Sequence, residues 1–131
     1  MIPLALADAM GTDPDVFFIG EDIGAAGGAA GGAFKSTVGL FEEFGPRRVR
    51  DTPISEQAIV GTVLGAAICG VRPVADLMFA DFAGVACNQI ANQVAMARYL
   101  SGGQLRVPLT IRMANGAEAG FAAQHSQAAE N

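Results

Sequence analysis

Hydrophobic residues along the chain fall into short unbroken runs, separated by longer stretches with helical spacing. Val16-Phe17-Phe18-Ile19 is one such run, bounded by Pro14 and Gly20. An apolar run of strand length with turn residues at its ends predicts a strand buried on both faces. Arg72 to Asp76, continued by Leu77, Met78 and Phe79, predicts another, and so does Leu109-Thr110-Ile111 after Pro108. Arg48-Val49-Arg50 is a shorter candidate. Between these runs the pattern is helical. Leu4 to Met10 reads as a helix stopped by Gly11-Thr12-Asp13-Pro14, and Phe34 to Phe44 as a short helix or turn ending at Gly45-Pro46.

A third helix is expected from Glu56 to about Cys69, with Ser55 as its N-cap and Gly70 closing it. An acid at Glu56 suits the positive end of the helix dipole. Gly61 and Gly65 lie four apart on this helix, which allows a close backbone approach. The longest helix is expected from Asp81 to Leu100. Phe82, Val85, Ile90, Val94 and Ala97 mark its apolar face, and Ser101-Gly102-Gly103 its stop. Met113 to Asn131 reads as irregular.

Buried strands alternating with helices predict an α/β domain, a mostly parallel sheet with helices on both faces. No internal repeat or Pro-rich linker divides the 131 residues, so one domain is expected over 1–131. No last strand-helix pair closes the sheet, which reads as a C-terminally truncated domain.

Composition narrows the function. The chain is 51% hydrophobic, with no Trp and one Tyr, so its core must come from Ala, Val, Ile, Leu and Phe. A net charge of -5 with only eight scattered Lys and Arg argues against a nucleic-acid partner. Arg47, Arg48 and Arg50 read as a solvated edge. Cys69 and Cys87 stand far apart in apolar surroundings and read as small buried hydrophobes, neither a disulfide framework nor a metal site. The longest apolar stretch, Ile59 to Cys69, is too short to span a bilayer. With no signal peptide visible, cytoplasm or an organelle matrix is the expected location. The Gly/Ala loop from Gly24 to Gly32 lacks the spacing and the Gly-Lys-Ser/Thr of a phosphate loop, and reads as a loop tolerant of insertion.

Three segments carry more specific information. Asp51-Thr52-Pro53-Ile54-Ser55-Glu56, Met78-Phe79-Ala80-Asp81-Phe82 and Gln124-His125-Ser126-Gln127 together resemble the beta subunit of the decarboxylating first component of 2-oxo acid dehydrogenase complexes. Pyruvate, branched-chain 2-oxo acids and acetoin are the substrates of that group. Asp13-Pro14, Gly20-Glu21-Asp22, Gly70-Val71-Arg72-Pro73, Tyr99-Leu100-Ser101-Gly102-Gly103 and Asn115-Gly116-Ala117 fall in the same order and spacing. The resemblance implies a thiamine diphosphate-binding fold of the transketolase-like, pyrimidine-binding type. It also implies a two-alpha, two-beta tetramer. In it the alpha subunit holds the diphosphate and a divalent metal, expected to be Mg, and a lipoyl-bearing acyltransferase receives the acyl group. No metal ligand is expected on this chain.

By the same resemblance, Glu56 hydrogen-bonds N1' of the cofactor's aminopyrimidine and acts as a proton switch. Phe82 packs on that ring, His125 faces the substrate or the acyl-transfer step, and Glu21 and Met78 lie near the cofactor channel. Read locally, Glu56 is a first-turn acid, Phe82 a core aromatic and His125 a solvated histidine. Asn88 stands where the family commonly has an Asp of an acidic channel between paired sites, which puts that communication in doubt. Two other readings stay open: a non-catalytic remnant or assembly module of the same fold, and an enzyme of the transketolase or deoxyxylulose phosphate synthase type.

Overall fold

A computed structural model describes residues 2–24, 31–116 and 120–128. Most of the Gly24–Gly32 loop, and Ala117 of the Asn115-Gly116-Ala117 match, lie outside the described residues. The element order is α1 (Ile2–Thr12), β1 (Val16–Gly20), α2 (Leu40–Phe44), β2 (Val49–Asp51), α3 (Glu56–Ile68), β3 (Arg72–Phe79), α4 (Ala95–Leu100) and β4 (Thr110–Ala114). Short 3-10 turns follow β3 at Ala80–Gly84 and lie in the tail at Ala123–His125.

The four strands form one sheet in the order β2-β1-β3-β4, and every neighbouring pair is parallel. Alternation along β1 explains why its apolar run is unbroken. Val16 and Phe18 face one layer, packed with Leu6 and Met10 of α1, Leu40 of α2 and Val49 of β2. Ile19 faces the other, against Ile59, Val60 and Val63 of α3 and Ala75 and Leu77 of β3. Phe18 is 0% exposed, and burying such a side chain contributes about 1.5–3 kcal/mol. At the end of β1, Gly20 is required by space. A Cβ there would lie 2.8 Å from the Asp76 carbonyl oxygen and 2.9 Å from the Asp76 Cβ.

Gly70 ends α3 as expected, at φ 102, with its N–H donating to the Ala67 carbonyl. Ser55 is the N-cap residue of that helix, as expected, but its side chain makes no capping hydrogen bond. Its hydroxyl donates to the Pro53 carbonyl at 3.0 Å, and its own carbonyl accepts from Ile59 N–H. The turn imposed by Pro53 offers the hydroxyl a nearer partner than the helix does.

The single helix expected over Asp81–Leu100 is broken. A 3-10 turn reaches Gly84, and a helix then runs over 87–100 with a π-helical segment at Gln89–Val94. Ile90 and Val94 keep their place against the second core, whereas Val85 is 51% exposed. Gly84 is a poor helix former, and Phe82 is drawn into a ring cluster described below instead of onto the sheet. β2 begins one residue later than expected, and β4 extends to Ala114.

Both cysteines are exposed, contrary to the sequence reading. Cys69 caps α3 beyond its last sheet-facing residue, Ala67, and Cys87 follows buried Ala86, turned about 100° round the helix. Apolar neighbours in sequence do not fix which face a residue takes. Arg47 and Arg50 are exposed, as a solvated edge requires. Arg48 is partly buried, however: it donates to the Asp13 and Val16 carbonyls and lies 5.3 Å over the Phe44 ring.

Candidate functional site

In a parallel sheet all strands point the same way, so the segments leaving their C-terminal ends collect along one edge, where open α/β folds place ligands. Here that edge receives Glu21 after β1, Thr52 after β2, Met78 and Phe79 at the end of β3, and Glu56 at the start of α3. The Thr52 N–H donates to the Gly20 carbonyl at 2.9 Å, which ties the first two exits together.

The sequence-predicted acids meet here. Glu56 is partly buried and lines an open concavity of about 530 Å³ together with Ile54, Ser55, Gln57, Ala58, Val85 and Gln89. Glu21 is close enough to feel it. Burial first, then the charge of Asp22, then that of Glu56 push the Glu21 carboxyl above its ordinary value. Two acids at one strand edge, one biased toward its protonated form, make a site able to hold and exchange a proton.

Met78 occupies a strained position. Its φ is 66, a left-handed conformation unusual for a residue with a Cβ. The β3–β4 pairing is irregular between Asp76 and Phe79, and the Met78 N–H donates to Asp76 Oδ1 at 2.9 Å. Asp76 also pairs with Arg112 of β4, and both side chains are largely buried. This ion pair anchors the irregular stretch of β3 in which Met78 takes its left-handed conformation. Asp22, next to Glu21, and Ala122, just before the turn that carries His125, also have positive φ. Such conformations cost about 1–3 kcal/mol each and persist where surrounding structure enforces them.

Phe82 and His125, 43 residues apart in sequence, are brought into contact, with ring centroids 5.4 Å apart and nearly perpendicular. Both pack edge-on against Phe79, at 5.5 and 4.9 Å. Phe34 and Phe121 meet the same ring at 5.0 and 5.5 Å. The Gln127 N–H donates to Asp81 Oδ1 at 3.3 Å, a second tie on the histidine segment. His125 is therefore partly buried, not the solvated tail histidine of the local reading. Asn88 is exposed, and its Oδ1 accepts from Asn92 Nδ2 at 2.9 Å.

Sequence reasoning overlooked Phe79, Asp76 with Arg112, and Gln89. Phe79 belongs to the Met78-Phe79-Ala80-Asp81-Phe82 match and closes a strand, and neither fact reveals its ring contacts. The Asp76–Arg112 pair depends on strand register, which local sequence does not state. Gln89 carries no motif of its own. Its Oε1 is buried, as are Thr52 Oγ1 and Ser126 Oγ, and none of the three has a hydrogen-bond partner among the described residues. Buried polar atoms without partners are uncommon and costly. Gln89 lines the concavity with Glu56, Ser126 follows His125, and Thr52 opens the segment that leads into Glu56. A carboxylate at a helix start, neighbouring polar atoms in need of partners and an aromatic ring at the same edge fit the aminopyrimidine that the resemblance implies.

The family model described as the transketolase pyrimidine-binding domain matches residues 1–131. The 2-oxoisovalerate dehydrogenase subunit beta of Bacillus subtilis is 44% identical over 129 residues, 98% of this chain and 38% of that protein. The acetoin:2,6-dichlorophenolindophenol oxidoreductase subunit beta of Cupriavidus necator is 49% identical over 94% of this chain and 38% of its own length. The mitochondrial pyruvate dehydrogenase E1 component subunit beta-1 of Arabidopsis thaliana is 45% identical over 94% of this chain and 33% of its own. The chain thus spans little more than a third of these relatives. Among solved structures, a split-gene transketolase described as an inactive beta4 tetramer has a TM-score of 0.68 at 21% identity, covering 95% of this chain and 35% of that one, a likeness of fold. With the family model matched from end to end, the chain belongs to the transketolase pyrimidine-binding domain family.

Proposed function

We propose that this chain is the pyrimidine-binding part of the beta subunit of a thiamine diphosphate-dependent 2-oxo acid or acetoin dehydrogenase. The observation that carries this reading is the position of Glu56. It opens α3 at the C-terminal edge of the sheet, in an open concavity, beside the raised carboxyl of Glu21. Identity of 44–49% to three beta subunits of this kind supports it.

Thiamine diphosphate, when bound, supplies a nucleophilic carbon and an electron sink for decarboxylation. The chain supplies placement and proton handling. Glu56 holds and exchanges a proton at N1' of the aminopyrimidine, Phe82 packs on that ring, and Glu21 and Met78 bound the channel. His125 is the acid-base group facing the substrate or the lipoyl acceptor. An alpha subunit supplies the diphosphate half and its divalent metal in a two-alpha, two-beta assembly, and a lipoyl-bearing acyltransferase takes the acyl group. Ile54, 75% exposed, and Val85 leave apolar surface beside Glu56 that suits a second polypeptide. On this reading the chain alone does not turn over substrate.

The test mixes the beta chain with a diphosphate-binding alpha partner and compares wild type with Glu56→Ala. Circular dichroism of the bound aminopyrimidine and decarboxylation of pyruvate, branched-chain 2-oxo acids and acetoin are read together. Loss of the acid is expected to lower turnover by roughly 10²–10⁴ and to abolish the tautomer signal. Absence of cofactor binding, or a Glu56→Ala enzyme equal to wild type, would favour a remnant that keeps the fold without the chemistry.

A further inference from the structure

We propose that Phe79 is the positioning residue for His125, holding the imidazole at the strand edge through direct ring contact. The inference rests on the acid-base role given to His125 above, but its geometry stands apart from that role. Phe79 closes β3 and is 9% exposed. Its ring is the hub of the cluster. It meets Phe34 from the loop before α2, Phe82 from the turn after β3, and Phe121 and His125 from the tail, all edge-on. The imidazole centroid is nearer to Phe79, at 4.9 Å, than to Phe82, at 5.4 Å.

No side-chain hydrogen bond from His125 to a described residue replaces these contacts, and the segment's other tie, Gln127 N–H to Asp81, is long at 3.3 Å. The Ala123–His125 turn is a single 3-10 turn that follows Ala122 at φ 66, so it has little means of fixing the histidine by itself. Phe79, in contrast, is fixed by the sheet. Its own backbone pairs with Ala114 of β4, beyond the bulge anchored by Asp76 and Arg112. Rigidity thus passes from the sheet to His125 through the Phe79 ring, directly and by way of Phe82, and edge-on aromatic contacts are suited to that task.

The test uses the 131-residue chain and needs neither cofactor nor partner, so its failure and failure of the proposed function are separable. His125 is the only histidine, so carbethoxylation by diethyl pyrocarbonate, followed at 240 nm, reports on that imidazole alone. Wild-type His125 is expected to react more slowly than N-acetylhistidine. Phe79→Leu is expected to speed the reaction about three- to tenfold with unchanged far-ultraviolet circular dichroism, while Phe79→Tyr, which keeps the ring, restores slow reaction. Should Phe79→Leu not fold, Phe121→Leu, at the exposed rim of the cluster, is expected to leave slow modification intact and Phe79→Tyr to match it. A folded Phe79→Leu chain reacting at the wild-type rate overturns the proposal. So does a wild-type chain reacting like N-acetylhistidine, or a Phe79→Tyr chain reacting like it.

Discussion

Glu21 shows how an unremarkable acid acquires a pH response from its neighbours. Burial, Asp22 and Glu56 raise its carboxyl, so the folded chain keeps that proton to higher pH than the unfolded chain does. Between the two pKa values the native state binds more protons, and stability falls as pH rises through that window. The cost is therefore absent in acid and fully present at neutral pH. Glu21→Gln is expected to raise the melting temperature at neutral pH and to leave it near wild type at about pH 4. An equal effect at both pH values would mean that the ionised form is not penalised. Met78 gives a second residue-scale expectation. At φ 66 a β-branched side chain is poorly tolerated, so Met78→Val should cost about 1–3 kcal/mol in urea unfolding, more than Met78→Gly.

At the scale of elements, the β1–β3–β4 seam fixes how strand ends are presented. Asp76 and Arg112 are register partners across β3 and β4, and their side chains are 8% and 16% exposed. Removing one partner leaves a buried charge alone, so Asp76→Ala should lower unfolding free energy by about 3–5 kcal/mol. Asp76→Asn, which still accepts from Met78 N–H, should cost less; equal losses would show that the bulge contact contributes nothing. Gly20→Ala tests the neighbouring seam. Its new Cβ would overlap the Asp76 backbone, and about 1–3 kcal/mol is expected from such overpacking. The π-helical segment at Gln89–Val94 belongs to this scale as well. Periodicity placed Val85 and Ile90 on one face, but Val85 falls in the turn between the 3-10 segment that ends at Gly84 and the helix over 87–100 that carries Ile90.

At the scale of the whole molecule, two layers of helices cover a four-stranded parallel sheet, and functional candidates gather at its C-terminal edge. The exposed Cys69 and Cys87 offer a direct check of this arrangement. Both thiols should react with Ellman's reagent in the folded chain, at rates that denaturant raises little. Slow reaction of either without denaturant would mean that its helix face is covered. Among the described residues no helix is long and apolar enough to cross a membrane.

The sequence by itself determined the strand and helix order and the two-sided burial of β1, because these follow from which residues avoid water along a local period. It also determined the family, because the segments around Glu56, Phe82 and His125 occur together and in order. Tertiary structure alone decided which side chains meet. The approach of Glu21 to Glu56, the Asp76–Arg112 pair and the seat of His125 on Phe79 all join residues distant in the chain. Their contact depends on strand register and on where the strand ends converge. The exposure of the cysteines and the partner of the Ser55 hydroxyl differ from expectation for the same reason: composition and propensity describe a neighbourhood in sequence, whereas exposure and hydrogen bonding are settled by the neighbours that folding brings in space.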